Sequence, residues 1–460
     1  MSRIYKVEDM INGNFATDKN HSNYSNHSMM KRFLISLFLL ISVGAQAQQQ
    51  YTPTAENLKS RKDFSDRRFG IFIHWGLYSM FAQGEWYMQD AGITREEYGK
   101  SARGFYPAYF NAHDWVKAAK DAGAGYICLT SRHHDGFSLW HTSLSDYNIV
   151  DGTPFGRDII KELADECHKQ GIRLHFYYSH IDWGRNDCPL GMSGRNCGKD
   201  TTKADWPHYN DFMNGQLTEL LTRYGEIGAI WFDGWWDLDK KEDKVEDLIR
   251  QYEMIHRLQP SCLIGNNHHL DPYPGEDIQI FERDLPGNNS AGWNSQGISR
   301  LPLETCETMN GMWGYKVTDQ NYKSVDEIVH YLVNAAGKGA NLLLNVGPQP
   351  SGEIPATALE RLKGVGEWMR QYGETIRGTE AGPVAVQDWG ATTRKGNRLF
   401  VHILKLDAQE LLLPADVKVK KATVYGSNQS VKFSKNADGT RLQLPEKPHG
   451  TDYIIELQTK

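Results

Sequence analysis

The sequence predicts a closed barrel of eight parallel strands with outer helices, an α/β fold of the (β/α)8 or TIM-barrel class, followed by a small antiparallel β-sandwich. Between residues 65 and 375, short β-rich apolar runs alternate with longer amphipathic stretches, which is typical of repeated β-α units. After residue 375 the runs become short and alternating, and Gly, Asn, Asp and Pro turns separate them. With 460 residues, 40% of them hydrophobic and 11% aromatic, the chain can fill both cores.

Eight runs have the length and composition of buried strands. They are Gly70–His74, Gly125–Thr130, Arg173–Tyr178, Ala229–Asp233, Cys262–Asn266, Ile278–Glu282, the weaker Leu303–Thr308, and Ala340–Asn345. Six segments between or after them have a helical period: Ala112–Ala122, Gly156–Gln170, Tyr209–Tyr224, Lys244–Leu258, Ser324–Ala336 and Ala356–Tyr372. No Gly-x-Gly-x-x-Gly or Walker loop follows any run, so a closed barrel is favoured over an open doubly wound sheet, the alternative fold.

The C-terminal part shows no helical period. Its alternating runs are Leu399–Leu404, Lys420–Tyr425, Val431–Phe433, Leu442–Leu444 and Tyr453–Leu457. We therefore place the barrel in residues 48–375 and the sandwich in residues 376–460, with the two units packed directly on each other because no low-complexity linker separates them.

Residues 29–47 carry the three parts of a secretory signal in order. A Lys-Arg pair at 31–32 precedes an apolar run at 33–43, and Ala-Gln-Ala at 45–47 provides small residues for cleavage. At about 11 residues the run is too short to span a membrane. We expect a signal peptide and a product exported to the periplasm or the exterior.

The sequence before this signal, residues 1–28, is then an upstream extension, and the mature chain begins near Gln48. No later segment reaches membrane length. The charge balance is 51 basic against 57 acidic residues, a net charge of -6, which gives no electrostatic basis for binding nucleic acid or anionic lipid.

Six cysteines are too few for a disulfide scaffold in a chain of this length. Four of them lie in apolar or helical segments and are interpreted as buried thiols. Cys188 and Cys197 flank a Gly-rich polar loop, where export would permit a disulfide. No Cys-x-x-Cys pair occurs, which disfavours a structural zinc site.

Polar and aromatic side chains follow six of the predicted strands. In a β/α barrel the working residues lie at the C-terminal ends of the strands, so these side chains should converge on one rim. Their mixture of imidazoles, phenols, indoles, amides and carboxylates is suited to binding a polyhydroxylated ring. The segments are residues 73–76, 132–137, 177–183, 231–236, 266–269 and 281–283.

The histidines of this rim do not have the spacing of a metal site. Adjacent His133 and His134 point in opposite directions on an extended chain, and neither His-x-His nor His-Glu-x-x-His occurs. We therefore expect no metal and no cofactor.

Two carboxylates of the rim have the pattern required for glycoside hydrolysis, which uses a nucleophile and an acid/base when the configuration is retained. Asp233 ends a strongly apolar strand, and Gly234 after it leaves room for a ligand, so Asp233 is the candidate nucleophile. Glu282 ends another strand and is the candidate acid/base. Its alternatives, which the sequence separates poorly, are Glu276, before that strand, and Glu304 and Glu307, in a segment of unknown register.

The motifs in their order resemble the α-L-fucosidases of glycoside hydrolase family 29, over residues 50 to 375. The resemblance rests on residues 68–79 (RFGIFIHWGLYS), the Glu-Trp-Tyr of 85–87, the His-His-Asp-Gly-Phe of 133–137 with Leu139-Trp140, and the Trp-Phe-Asp-Gly of 231–234. It implies a retaining, exo-acting barrel enzyme with an appended β-sandwich, no metal, and fucosylated oligosaccharides or glycoconjugates as substrates.

The resemblance also implies roles for individual residues. It places the nucleophile at Asp233 and suggests the acid/base at Glu282, although the position of the acid/base varies in the family. It implies substrate-binding roles for His74, Glu85, Trp86, His133, His134, Tyr177, Trp231 and Trp313. One departure is that some family members have an Arg after the fifth strand, where this chain has Asn-Asn-His-His at 266–269.

Two other functions stay open at this point. The first is hydrolysis of α-L-galactosides, because that sugar differs from fucose only by a hydroxyl on C6 and an apolar site rejects an added hydroxyl weakly. The second is a carbohydrate-binding protein without catalysis, which the presence of both candidate carboxylates disfavours.

Overall fold

The computed structural model describes residues 51–414, 417–427 and 429–460. The upstream extension and the signal peptide that the sequence predicts lie outside the described residues. Among the helices that are described, none combines the length and the apolar character needed to cross a membrane.

Eight parallel strands form the predicted barrel. They are β1 (Phe69–Ile73), β2 (Tyr126–Arg132), β3 (Arg173–Ser179), β4 (Ala229–Asp233), β5 (Leu263–Asn266), β6 (Gln279–Glu282), β7 (Leu303–Thr308) and β8 (Ala340–Val346). Their order is β5-β4-β3-β2-β1-β8-β7-β6, and a parallel bridge between Gly265 and Ile278 joins the two ends of the sheet. The barrel is therefore confirmed, including the weak seventh strand, and the open sheet is wrong.

The helices surround the strands. They are α1 (Ala55–Arg67), α2 (Tyr87–Asp90), α3 (Arg95–Gly99), α4 (Ala112–Asp121), α5 (Ile159–Gln170), α6 (Trp206–Arg223), α7 (Val245–Leu258), α8 (Val325–Gly337) and α9 (Ala356–Tyr372). The six predicted helices are all present, α9 with the predicted bounds and the other five with one or both ends shifted. For example, α5 begins at Ile159 because the carboxylate of Asp158 accepts a hydrogen bond from the backbone N–H of Lys161 at 2.9 Å and caps the helix.

Two of the β-to-β connections contain no α-helix. Residues 267–278 join β5 to β6, and residues 283–302 join β6 to β7. Both segments leave the C-terminal ends of their strands, so each begins on the rim where a barrel carries its functional residues.

The barrel interior is filled by side chains. Its closely packed centre includes Phe72, Tyr177, Trp231, Ile280 and Leu343, all buried. A second and larger apolar layer lies between the strands and the outer helices. The interior is therefore a packed core, and an opening exists only where side chains at the rim leave space.

The predicted β-sandwich is confirmed. Its strands are β9 (Glu380–Ala381), β10 (Gly390–Lys395), β11 (Arg398–Ile403), β12 (Glu410–Leu413), β13 (Val419–Val424), β14 (Lys432–Asn436), β15 (Gly439–Gln443) and β16 (Tyr453–Thr459). They form an antiparallel five-stranded sheet, β13-β16-β11-β10-β9, and a three-stranded sheet, β12-β15-β14. The sandwich has its own core and also contacts the barrel, where His330 Nε2 lies 2.7 Å from the carbonyl oxygen of Thr451.

The disulfide that export would permit between Cys188 and Cys197 is not formed. All six cysteines are free and buried. The two sulfurs face different partners: Cys188 Sγ accepts a hydrogen bond from the N–H of Asp182 at 3.4 Å, whereas Cys197 Sγ lies 3.9 Å from the carbonyl oxygen of Met88. Burial raises the pKa of the Cys197 thiol to about 11, which keeps the thiol protonated.

Candidate active site

A cavity opens at the C-terminal ends of the barrel strands. Nine of the ten predicted site residues line it, and these come from separate strands and rim loops that the closed barrel brings together. The lining residues are Phe72, His74, Trp86, His133, His134, Tyr177, Trp231, Asp233, Trp236, Asn267, Glu282 and Trp313.

Asp233, the last residue of β4, is surrounded by hydrogen-bond donors. Its Oδ2 accepts from the Tyr177 hydroxyl at 2.9 Å, and its Oδ1 accepts from Trp236 Nε1 at 2.9 Å. His134 Nε2 lies 3.5 Å from Oδ2. Burial alone would raise the pKa of Asp233, but these donors outweigh it and hold that pKa well below its usual range. The carboxylate is therefore ionised at neutral and mildly acidic pH.

Glu282, the last residue of β6, has the opposite electrostatics. Burial, followed by the nearby negative charge of Asp233, raises its pKa to about 7, although a hydrogen bond from Asn267 opposes the rise. Asn267 Nδ2 donates to Glu282 Oε2 at 2.8 Å and lies 3.4 Å from Asp233 Oδ1. One amide thus connects an ionised carboxylate to a carboxyl group that holds a proton near neutral pH.

Three histidines form one side of the cavity. His74 Nδ1 lies 2.7 Å from Asn345 Oδ1, and His134 Nδ1 lies 2.7 Å from Ser179 Oγ. Burial lowers the pKa of His74 to about 3, and burial also lowers that of His133 well below its usual range. Since neutral imidazoles can both donate and accept hydrogen bonds, the His74 and His133 rings are suited to sugar hydroxyls.

Aromatic rings form the remaining walls. Tyr177 and Trp231 are stacked, with ring centroids 5.5 Å apart, and the Trp231 ring is 5.1 Å from that of Phe72. Trp86 and Trp236 are also stacked, 6.2 Å apart and 10° from parallel. The cavity therefore combines apolar faces with polar groups, as a site for a single sugar ring requires.

Glu85 is the predicted site residue that does not line the cavity. Its carboxylate is buried and accepts a hydrogen bond from the backbone N–H of Gly314 at 2.7 Å. Burial raises its pKa, with the Gly314 bond opposing the rise. Since Gly314 follows Trp313, Glu85 holds the segment that carries this wall residue, and a direct contact with a sugar stays a prediction.

The alternative acids all lie outside the cavity lining. Glu304 is buried below it, where it accepts from the Tyr126 hydroxyl at 2.6 Å and from Trp231 Nε1 at 2.9 Å. Glu276 is buried and bonds His268 Nε2 at 2.8 Å. Glu307 lies 3.5 Å from Lys323. Glu282 is therefore the one candidate acid that shares the cavity with Asp233.

Sequence reasoning missed three lining residues, Phe72, Trp236 and Asn267. Trp236 and Asn267 lie in the rim segments identified above, directly after strands, so their position was a usable signal. Phe72 lies inside β1, where every residue is buried, so its sequence context does not distinguish it from a core residue. In the described part of the chain, no group of three or more His, Cys, Asp or Glu side chains could hold a metal ion.

Comparison with known proteins agrees with this geometry. The sequence profile of the family described as Alpha-L-fucosidase matches residues 38–374. An alpha-L-fucosidase of Dictyostelium discoideum is 28% identical over 453 residues, covering 90% of this chain and 93% of its own length. Tissue alpha-L-fucosidase of Homo sapiens is 28% identical over 467 residues, with coverage of 90% and 93%.

Solved structures are similar over the same extent. Alpha-L-fucosidase isoenzyme 1 from Paenibacillus thiaminolyticus has a TM-score of 0.76 and 34% identity, and covers 88% of this chain and 100% of its own. A family 29 alpha-L-fucosidase from Bacteroides thetaiotaomicron, trapped as a covalent intermediate in complex with 2-fluoro-fucosyl fluoride, has a TM-score of 0.77 and 26% identity, with coverage of 90% and 98%. Because the family profile spans most of the sequence, this chain belongs to the α-L-fucosidases of glycoside hydrolase family 29.

Proposed function

We propose that this protein is an exo-acting α-L-fucosidase that removes terminal α-L-fucosyl residues from glycans with retention of configuration. The observation that carries the proposal is the pairing of Asp233 and Glu282 through Asn267, with the pKa of the first carboxyl lowered and that of the second raised to about 7. Two neighbouring carboxyls with different protonation states are the arrangement that divides nucleophile from acid.

The separation of the carboxyls supports retention. Since Asn267 Nδ2 is 2.8 Å from an oxygen of Glu282 and 3.4 Å from an oxygen of Asp233, those two oxygens lie within about 6 Å of each other. Inverting enzymes separate their carboxyls by about 6.5–9.5 Å to leave room for a water molecule between the general base and the sugar. The shorter distance favours direct attack by Asp233.

The reaction then has two steps. Asp233 attacks the anomeric carbon while Glu282 gives its proton to the leaving oxygen, which produces a fucosyl ester of Asp233 and a free alcohol. Glu282, now ionised, takes a proton from a water molecule that attacks the same carbon and releases fucose and the Asp233 carboxylate. The pocket, closed below by Trp231 and Glu304, admits a chain end, which supports exo action.

Removal of each carboxyl tests the two roles. Asp233→Ala should abolish turnover of every fucoside. Glu282→Ala should slow glycans by orders of magnitude more than aryl fucosides with good leaving groups, because only poor leaving groups need the proton. Glu307→Gln, a change on the same rim outside the cavity, is the matched control and should retain activity.

The stereochemical outcome is measured separately, by NMR of the first fucose anomer released. Release of the α anomer is expected. Initial release of the β anomer would contradict retention, and equal losses on glycans and activated fucosides in Glu282→Ala would contradict its role as acid.

The apolar walls favour fucose over L-galactose, because Phe72 has no polar side-chain atom and the indole N–H of Trp231 already donates to Glu304, so neither ring offers a bond to a hydroxyl on C6. An apolar pocket rejects an added hydroxyl by up to about 100-fold. We therefore expect the nitrophenyl α-L-galactoside to be hydrolysed 10- to 100-fold more slowly than the fucoside, a range of about 1–3 kcal/mol. Equal rates would assign the galactosidase function as well.

We also infer that the protein is exported after cleavage of residues 29–47. The order of basic, apolar and small residues there supports it. The measurement is N-terminal sequencing of the protein produced from the full reading frame in a Gram-negative host. An N-terminus near Gln48 in the periplasmic fraction is expected, and an intact N-terminus in the cytosol would contradict export.

A further inference from the structure

The two helix-free connections of the barrel are residues 267–278, which follow β5, and residues 283–302, which follow Glu282 at the end of β6. Together they carry three exposed apolar side chains: Leu270 is 40% exposed, Trp293 is 44% exposed and Ile298 is 54% exposed. We call these two connections the acid-side loops. Large apolar groups exposed together beside a cavity indicate a contact surface for a ligand.

The acid-side loops are bonded to each other. The backbone N–H of Gly297 donates to Asp271 Oδ1 at 3.0 Å. Asp271 follows Leu270 and Gly297 precedes Ile298 in the chain, so this bond joins the segments that carry the two exposed aliphatic side chains, beside Gln279 at the start of β6, whose Nε2 donates to the carbonyl oxygen of Gly297 at 2.7 Å. The loops thus form one continuous surface.

The segment that presents Trp293 is fixed by a buried hydrogen-bond network. Asn294 Nδ2 donates to the carbonyl oxygen of Glu282 at 2.7 Å and to Asp284 Oδ2 at 3.0 Å. Asp284 also accepts from the backbone N–H groups of Ser290 and Ala291, each at 3.0 Å. An exposed indole on a segment fixed in this way loses little freedom when a ligand binds.

His269 connects Trp293 to the candidate acid. The ring centroids of His269 and Trp293 are 6.1 Å apart, and His269 Nε2 lies 3.8 Å from Glu282 Oε2. His269 adopts a φ of 60°, a left-handed conformation that is uncommon for a residue other than glycine. The exposed indole is therefore one side chain away from the carboxyl group that would protonate the leaving oxygen.

We propose that the acid-side loops bind the sugar to which the fucosyl residue is attached, with Trp293 stacked against that sugar. A fucosyl ring in the cavity has its glycosidic oxygen at Glu282, so the attached sugar extends over His269 toward Trp293. A flat indole matches the apolar C–H face of a pyranose and leaves its hydroxyls in water. This inference rests on the proposed fucosidase function and adds a preference for saccharide leaving groups.

The test compares two substrates with and without Trp293. The fucosyl disaccharide has a sugar as its leaving group, whereas α-L-fucosyl fluoride releases a fluoride ion and has no second sugar. Trp293→Ala should lower kcat/KM for the disaccharide about tenfold, the effect of losing one aromatic contact of about 1.4 kcal/mol. The value for the fluoride should stay within about twofold of wild type, since both carboxyls are intact. Trp293→Phe should restore most of the loss.

The control is Phe433→Ala, which removes another exposed ring, 40% exposed, from strand β14 of the sandwich and should change neither value. Equal effects of Trp293→Ala on both substrates, or no effect on either, would overturn the leaving-group site alone. If the wild-type protein hydrolyses neither substrate, the fucosidase proposal itself fails and the site fails with it. Melting temperatures of both variants check folding, which exposed substitutions should change little.

Discussion

The side-chain amide of Asn267 donates to Glu282 Oε2 at 2.8 Å, and this bond stabilises the charged form of a carboxyl group that has to be protonated to act as an acid. Burial and the negative charge of Asp233 raise the pKa of Glu282 to about 7, and the amide opposes them. The activity of the wild-type enzyme should therefore fall as pH rises through about 7.

Replacing the amide should move this alkaline limit. In Asn267→Ala the opposing bond is gone, so the pKa of Glu282 rises and kcat/KM is retained to higher pH. The maximal kcat/KM should be about tenfold lower, because the amide also positions both carboxyls. The measurement is kcat/KM across pH for a fucosyl disaccharide, whose leaving group needs the proton, with exposed Asn397→Ala as control. A limit that moves to lower pH would contradict the assignment.

Tyr177 should help to determine the low-pH limit of activity. Its hydroxyl donates to Asp233 Oδ2 at 2.9 Å and is one of the donors that hold the pKa of Asp233 low. A depressed pKa means that activity is lost only as pH falls through that low value. Tyr177→Phe raises the pKa of Asp233, so the loss should begin at higher pH, with kcat/KM at neutral pH reduced about tenfold or more.

The neighbouring residue of the same strand is the matched control. The Tyr178 hydroxyl donates to Gln216 Oε1 at 2.8 Å, away from the cavity. Tyr178→Phe should cost about 1 kcal/mol of stability and leave the acidic limit unchanged. Identical pH profiles for the two variants would show that Tyr177 does not act on the nucleophile.

Glu304 should affect stability rather than catalysis. Burial raises its pKa to about 7, although bonds from Tyr126 and Trp231 oppose the rise. The folded protein then binds more protons than the unfolded chain between the ordinary glutamate pKa and about 7, so stability falls with rising pH across that window. Above a pH of about 7, Glu304 is ionised in the folded protein, and burial of its charge lowers the free energy of unfolding by the full amount.

Glu304→Gln removes that charge. At pH 8 the variant should be more stable than wild type by on the order of 1–3 kcal/mol, and at pH 5 the two should differ little. The measurement is denaturant unfolding at both pH values, with fucoside hydrolysis as a second readout. Loss of turnover in a folded Glu304→Gln protein would reassign the acid role to this residue.

The cysteines provide a chemical check. Since all six are free thiols, denaturation without a reductant in the presence of an alkylating agent should label six sites by mass spectrometry. Cys188→Ser should reduce the number by one and leave the label on Cys197. Unlabelled Cys188 and Cys197 in the wild-type protein would instead demonstrate a disulfide between them.

The strands and the rim could be predicted because their sequence signals are local. Each apolar run has the length of a strand, and a residue such as Asp233 or Glu282 marks the point where a strand ends. The sequence selected Glu282 but separated it poorly from Glu304, because the difference depends on the register between β6 and β7. In the structure Ile280 pairs with Glu304 and Glu282 pairs with Cys306, so Glu304 lies one inward-facing level below the cavity.

The bonds that Asn267 makes and the contacts between the loops could not be predicted, for a related reason. The side chain of Asn267 bridges carboxyls from strands that are distant in sequence, and only the closed barrel brings them together. Whether Cys188 and Cys197 are bonded could not be predicted either, because nearness in sequence and an oxidising destination say nothing about the direction of two Cβ–Sγ bonds. Local patterns thus predict which residues stand at the rim, and tertiary geometry determines which of them meet.

Strands β5 and β6 are joined by a single bridge, between Gly265 and Ile278, and this weakly paired joint in the barrel wall lies between the strands that carry the two reacting carboxyls. The side chain of Asp277 reinforces this joint, because its carboxylate accepts hydrogen bonds from the N–H of Ile264 at 2.9 Å and from Arg61 at 2.6 Å. Because Asp233 lies on one side of this joint and Glu282 on the other, any local parting there changes the spacing of the reacting groups while the remaining strands stay paired. On heating, local opening between β5 and β6 should therefore abolish activity at a lower temperature than that of global unfolding.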